Sequence, residues 1–539
     1  MCIRSAPLFG RKCVLSGVQL KLTCLAVFVC GATFCQVVAL GQTMTDHAAA
    51  RFLDQATWGP TPAAIQQLQQ MGIHAWLASQ FALNTSDLPD QPILAADGTP
   101  NKNLAPVERA FFANAITGRD QLRQRVAFVL SQIWVVSQQS GVPYAYAFPP
   151  YWRIFRDHAF GNYRDLIKAM TLSPAMGRYL NMANNNKAKA AKDTAPNENY
   201  ARELMQLFTL GLTQLNPDGS AVMQNGQPVA TFGGSVVPNM AKALTGWTYP
   251  TAPDAEPKAN NPPYFFGQMF AVEARHDSTA KTVVGNVAIP AGRTAEQDLE
   301  SVLDALMAQP TMAPFVSKQL IQHLVTSNPS PQYIERVSNV FTDDGTGVRG
   351  NLQAAITAIL TDPEARAGDD PHAVVSASFG HMREPILFLT SMLRGLDATL
   401  GPHSAIYTSA ALLGESLFRP PSVFSYFSPQ YRIASNLLAP EFQIYSTQTA
   451  TDRANIVNLA LYGHLDNSTT VNLAPFEAIA NDAPGLVNYL SYAFLHHAMS
   501  GALEQAVTDA INGAGSAAAA RARAALYVVL TSGEYQIIR

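Results

Sequence analysis

Apolar residues recur every three and four positions through most of this chain, and that spacing admits little besides a stack of helices. In Ala48–Phe81, AAARFLDQATWGPTPAAIQQLQQMGIHAWLASQF, the pattern breaks only at Gly59-Pro60-Thr61-Pro62. There Thr61 can cap a second helix and Pro62 fits its first turn. Val107–Ser137 reads as one long amphipathic helix or two, and Tyr151–Asn181 as helix interrupted near Gly161-Asn162 and Ser173-Pro174. From Thr294 helices are predicted over 294–308, 313–326, 330–341, 350–361, 373–396 and 405–417, with three or four more behind them. No repeat period and no βαβ alternation is visible, so a solenoid and a doubly wound sheet are both disfavoured. The expected fold is mainly α: a multi-helical single body carrying a small β-hairpin and irregular insertion at about 213–293. Asn-Pro-Asp-Gly (216–219) and Asn-Gly (225–226) supply the turn signals of that hairpin, and a short helix is predicted over Val237–Trp247.

The first forty residues have a different character. Arg4, Arg11, Lys12 and Lys21 are basic, no acidic residue precedes Asp46, and Leu22–Leu40 is nearly all apolar. Ala39-Leu40-Gly41 then offers small residues at a cleavage position, so residues 1–41 read as a secretory signal peptide. A retained membrane anchor is the competing reading, since the apolar run approaches the length of a span. All five cysteines (Cys2, Cys13, Cys24, Cys30 and Cys35) fall inside this leader. The expected mature chain therefore has no disulfide framework, thiol nucleophile, iron–sulfur ligation or covalently attached haem. Without the four leader cations, 36 basic side chains become 32 against 39 acidic ones, a net charge of −7. Such a chain is a poor partner for nucleic acid, and a periplasmic or secreted location, with no membrane attachment after cleavage, is expected.

One stretch concentrates polar chemistry: PNENYARELMQLFTLG, residues 196–211. Pro196 suits a helix start, with Thr194 or Asp193 to cap it. Ala201, Leu204, Met205 and Phe208 form one stripe, while Asn199, Arg202, Glu203 and Gln206 form another. Glu198 stands one turn before Arg202, where the two can pair, and Gly211 ends the helix. Two readings stay open. The stripe is a solvated helix face, or Glu198, Asn199, Arg202 and Glu203 form a buried network able to lock helices together or poise a carboxylate for acid–base work.

ARFLDQATWGPT, AFGNYRDLIKAMTLSPAMGRYLNMANN, PNENYARELMQLFTLGL, AKALTGWTY, HDSTAKTVVG, APFVSKQLIQHLVTSNPSPQYIERV, GVRGNLQAAITAILTDPEAR and REPILFL occur in this order. Together they resemble the bacterial exported family catalogued as domain of unknown function 1800, from about residue 47 to the C-terminus. The resemblance implies an exported, mainly helical protein without a settled activity. It also implies a partnership with a second exported family that resembles phosphatases and sulfatases. Many members carry Glu-Leu-His where this chain has Gln206-Leu207-Phe208, and Trp-x-x-His-Phe where it has Leu130-Ser-Gln-Ile-Trp134. Two histidines able to bind metal elsewhere in the family are thus absent here, which weakens a metalloenzyme reading.

The pair His276-Asp277 matches the family phrase and is followed by Lys281. Alone it reads as a turn former; brought beside Glu198 and Glu203 it would complete a divalent-cation site or an acid–base pair. His496-His497 falls on an apolar helix and reads as core or rim, and His381-Met-Arg-Glu384 has ligand spacing but is discounted. Asp343-Asp344-Gly345 lacks the twelfth-position glutamate of a calcium loop and reads as a tight turn. The aromatic runs Tyr144–Phe148, Tyr264–Phe266 and Ser422–Tyr431 could line a sugar or peptide groove, though packing is the plainer role. No nucleophile elbow, P-loop or zincin motif is present. The expected function is an exported protein with a site at Glu198, Asn199, Arg202, Glu203, His276 and Asp277, performing hydrolase-type chemistry. The alternative is a non-enzymatic secreted binding or assembly protein.

Overall fold

Small polar caps and first-turn prolines set where the helices begin. Thr45, Thr61, Thr294, Ser330 and Ser500 each accept a first-turn backbone N–H through the side-chain hydroxyl. Pro62, Pro149, Pro174 and Pro385 occupy first-turn positions where no N–H is missed. The computed structural model describes residues 44–189, 194–434 and 436–539. The expected leader, its five cysteines and the alternative cap Asp193 lie outside the described residues. Within them run 22 α-helices and five two-stranded antiparallel pairs. The fold is mainly α, as the periodicity predicts, and one contiguous apolar core runs from the Asp46–Ala56 helix to the Ala518–Thr531 helix.

Several expectations shift in detail. The segment read as one helix after Pro62 is two, Pro62–Met71 and Ile73–Ala82, because Gly72 takes a φ of 75° that ends the first. Val107–Ser137 also splits, into Ala105–Thr117 and Gln121–Ile133. Asn225-Gly226, both at positive φ, turns Met223–Gln224 back onto Gln227–Pro228 as the predicted hairpin. The helix expected over 373–396 is the largest departure. Only Pro385–Gly395 is helical, and His381–Met382 is a strand paired with Ile537–Ile538. Pro385 disfavours helical backbone at Glu384, so the apolar period there marks burial and not a longer helix.

The polar stretch near 200 is shorter and odder than a plain helix. Asn199–Glu203 makes one α turn, then Leu204–Thr209 widens into a π segment. Thr209 Oγ1 donates to the Leu204 carbonyl at 2.6 Å, and Leu210 N–H reaches back five residues to Met205 at 2.9 Å. The predicted apolar stripe of Ala201, Leu204, Met205 and Phe208 is buried, with Phe208 stacked on Trp134 at 4.3 Å between ring centres. The phrases Leu130–Trp134 and Gln206–Phe208 therefore touch here through aromatic rings. The aromatic runs Tyr144–Phe148 and Tyr264–Phe266 pack on one another, Phe265 meeting both Tyr144 and Tyr146, so they pin loops and leave no groove between them.

Candidate functional site

The six residues singled out by sequence do not form one centre. Glu198 and Arg202 bond at 2.9 Å with side chains 39% and 47% exposed, a surface pair and not a buried strut. Asn199 begins the helix, its N–H donating to Asn197 Oδ1 at 2.9 Å. Glu203 is half-buried, and its Oε2 is enclosed without a partner, so burial raises its carboxyl with Arg202 offsetting only part. The mutually satisfied buried network is therefore not built. Helix sterics explain why: a five-residue turn leaves its polar face at the edge of the body.

His276 and Asp277 sit in a different buried cluster. His276 Nε2 lies 3.1 Å from Asp298 Oδ2, and Lys281 Nζ donates to that same oxygen at 2.6 Å. Lys281 also donates to the Asp277 carbonyl at 2.5 Å. Asp277 itself accepts from Thr279 N–H and Oγ1, the turn-former arrangement. Burial would raise the Asp298 carboxyl, but the bonds from His276 and Lys281 prevail and hold it low. Gly246, at φ 92°, lets this loop close: a Cβ there would stand 3.0 Å from the His276 backbone. No hydrogen bond or ion pair among the described residues links this cluster to Glu198 or Glu203. Nor, among the described residues, does any group of three or more His, Cys, Asp or Glu side chains stand ready to hold a metal ion. The Asp343-Asp344 segment is the expected turn, Asp344 Oδ1 accepting from Thr346 and Val348 backbone N–H groups.

Further charged chemistry withheld from water lies in two other places. The first is interior. Glu384 and Glu415 are buried carboxyls in hydrogen-bond contact, and Arg125, wholly buried, has Nη1 3.9 Å from Glu384. Gln132 Nε2 donates to both Glu384 oxygens at 3.0 and 3.1 Å, and Ile386 N–H donates to Glu415 at 2.8 Å. Burial, then repulsion from Glu384, pushes the Glu415 carboxyl far up, so it keeps the proton that the pair shares. His381, at the discounted ligand spacing, bonds instead to Glu441 at 3.2 Å.

The second place is an open cleft of about 540 Å³ between the Asp46–Ala56 helix, the 368–375 turns and the C-terminal segment. His47, Arg51 and Asp54 lie on one helix face and are all buried. Arg383 clamps Asp54 through two N–H bonds of 2.6 and 2.5 Å while its Nε donates to the Tyr535 carbonyl. His496 Nε2 donates to Asp54 Oδ2 at 3.1 Å. Burial alone would raise the Asp54 carboxyl; Arg383 and His496 outweigh it and hold it well below the usual range. Burial pushes His496 down, with Asp54 offsetting part, so the imidazole is neutral. With Nε2 carrying the proton, Nδ1 is a base, and it is enclosed without a partner. Arg51 bonds to Asp369 yet keeps Nη2 buried and unpartnered. His47 lies between the carbonyls of Gly368 and His496. Both His496 and His497 have positive φ, 57° and 61°, which bulky residues adopt only when the surroundings hold them there.

Sequence reading passed over this cleft because His496 looked like a core histidine and Asp54 like one letter of a family phrase. A signal was present: His47, Arg51 and Asp54 repeat at four and three inside an apolar helix, where charges need partners. Comparison with known proteins adds one finding. The model of a family described as protein of unknown function (DUF1800) matches residues 51–537. No curated protein and no solved structure matches the chain.

Three outcomes follow from these contrasts. A double-mutant cycle on Glu198 and Arg202 should give a coupling of about 0.5 kcal/mol or less in denaturation experiments. Asp298→Asn, which strands the buried Lys281 ammonium, should cost about 3–5 kcal/mol by the same measurement. The Glu384–Glu415 pair stabilises the fold fully below the ordinary carboxylate range and loses that contribution as pH rises through its elevated folded value. Glu415→Gln mimics the protonated form, so its thermal midpoint should fall less than wild type between pH 5 and pH 9, an interval chosen to bracket about neutral.

Proposed function

The chain belongs to the DUF1800 family, and from that premise we propose that it is an exported protein whose cleft carries hydrolase-type acid–base chemistry on an extracellular substrate. Export rests on the basic, then apolar, leader and its small residues at 39–41. Among the described residues no helix is long and apolar enough to cross a membrane. The observation that carries the reading is the Asp54–His496 dyad. Asp54 holds the ring by Nε2, leaving a neutral Nδ1 as base on a cleft-lining side chain. In the proposed step the cleft side chains part to admit water to the enclosed Nδ1. The ring takes the proton of a water molecule as its oxygen attacks the substrate, then returns that proton to the leaving group as the scissile bond breaks. Asp54 steadies the imidazolium that forms, and the spare Arg51 Nη2 donates to the oxyanion that develops. Glu198, Asn199, Arg202, Glu203, His276 and Asp277 lie outside this cleft and are not assigned a catalytic part.

The second reading, a non-enzymatic binding or assembly protein, is favoured by the saturated Asp54–Arg383 clamp, whose arginine also donates to the Tyr535 carbonyl and so links the first helix to the C-terminal segment. An exported phosphatase- or sulfatase-like protein is the partner proposed under either reading.

His496→Asn tests the first reading, because asparagine tolerates the positive φ and can still donate to Asp54. Wild type should turn over at least one of a panel of chromogenic carboxylate, phosphate and sulfate esters. The variant should lose about 100- to 10,000-fold in kcat/KM while its thermal midpoint stays near wild type. Since burial lowers His496, the acid limb of the wild-type profile should fall below the ordinary histidine range of about 6.5. Undiminished turnover in His496→Asn, or an inert wild type, removes the enzymatic reading.

A further inference from the structure

A small cavity of about 60 Å³ lies under the Ser422–Tyr431 loop, apart from the cleft. Its polar floor has an uneven supply of hydrogen-bond groups. Gln132 points Nε2 at Glu384, which fixes the amide and leaves Oε1 buried with nothing to accept from. Glu441 accepts from His381 through Oε1, and its Oε2 is buried and unpartnered. Both side chains are 5% exposed and both line the cavity. His323 beside them is pushed down to about 3 by burial, with Arg125 and His381 adding to it, and so brings no charge.

The charges of the interior sharpen this. Arg125 faces Glu384, and Glu415 retains the shared proton, whereas Glu441 has no lysine or arginine nitrogen within 4 Å among the described residues. The other walls are apolar or aromatic: Ile133, Leu207, Val423, Phe424 and Phe427. Phe424, 45% exposed, stands at the outer side.

We propose that this cavity binds the head of a primary alkylammonium ligand, its N–H groups donating to Glu441 Oε2 and Gln132 Oε1 and its alkyl stem lying against Leu207 and Phe424. An ammonium supplies what the floor lacks, several donors and one positive charge, and aromatic faces favour a cation further. The volume suits the head and the first two carbons, and a third reaches the outer side beside Phe424. The inference stands on different residues from the cleft chemistry, so each can fail alone.

Thermal unfolding of the full chain in n-propylammonium chloride provides the test, against sodium chloride and tetramethylammonium chloride at equal ionic strength. Wild type should show an upward, saturable shift of Tm with propylammonium only. Glu441→Gln still accepts from His381 and should weaken half-saturation by about tenfold or more. If that variant does not fold, Leu207→Phe, which fills the cavity without touching a polar group, should abolish the shift. An equal response to all three salts, or one undiminished by both variants, overturns the proposal. So does an equal response to glycerol, which would show that the floor accepts any hydroxyl or water.

Discussion

Ten of the eleven residues of the Asp46–Ala56 helix are buried, including His47, Arg51, Asp54 and Gln55. An apolar helix in that position would need only shape. This one needs partners, because an unpaired charge in a dry interior costs several kcal/mol. Each buried polar side chain on it reaches a distant segment: His47 to Gly368, Arg51 to Asp369, Asp54 to Arg383 and His496, and Gln55 to Arg366. The turns at 366–369, the His381–Met382 strand and the last helices are therefore arranged around one helix, and the cleft is the space left where they meet.

The same need for pairing organises the interior. Arg125 and Gln132 meet Glu384 across helices that are far apart in sequence, and Glu415 stands beside it on the Ile386 N–H. A carboxyl pair in that setting keeps one proton and so carries a single negative charge, which one arginine balances. Buried polar sets of this kind specify which helices face each other more sharply than apolar packing does, since a slipped register would strand a charge.

The helical body was legible because its signal is local. Apolar spacing, caps such as Thr61 and Thr294, and the Asn225-Gly226 turn all act within a few residues. The cleft was not legible because its members are distant: His496 and Asp54 stand 442 positions apart. The polar stretch near 200 drew attention through density of charged letters, yet density says nothing about which side of a short turn faces water. Glu198 and Arg202 face it; Glu203 only half does. Asp277 makes a local turn with Thr279, while the buried partner of His276, Asp298, lies beyond the motif.

The pairing of Ile537–Ile538 with His381–Met382 has a bearing on assembly. As the chain emerges from its N-terminal side, Asp54 can meet Arg383 only after three hundred or more residues have followed it, and His496 later still. His496 and Asp54 are thus brought together only by the later helices, and the Ile537–Ile538 strand closes onto His381–Met382 after them. A nascent chain would therefore hold the charges of its first helix without their partners until those segments follow.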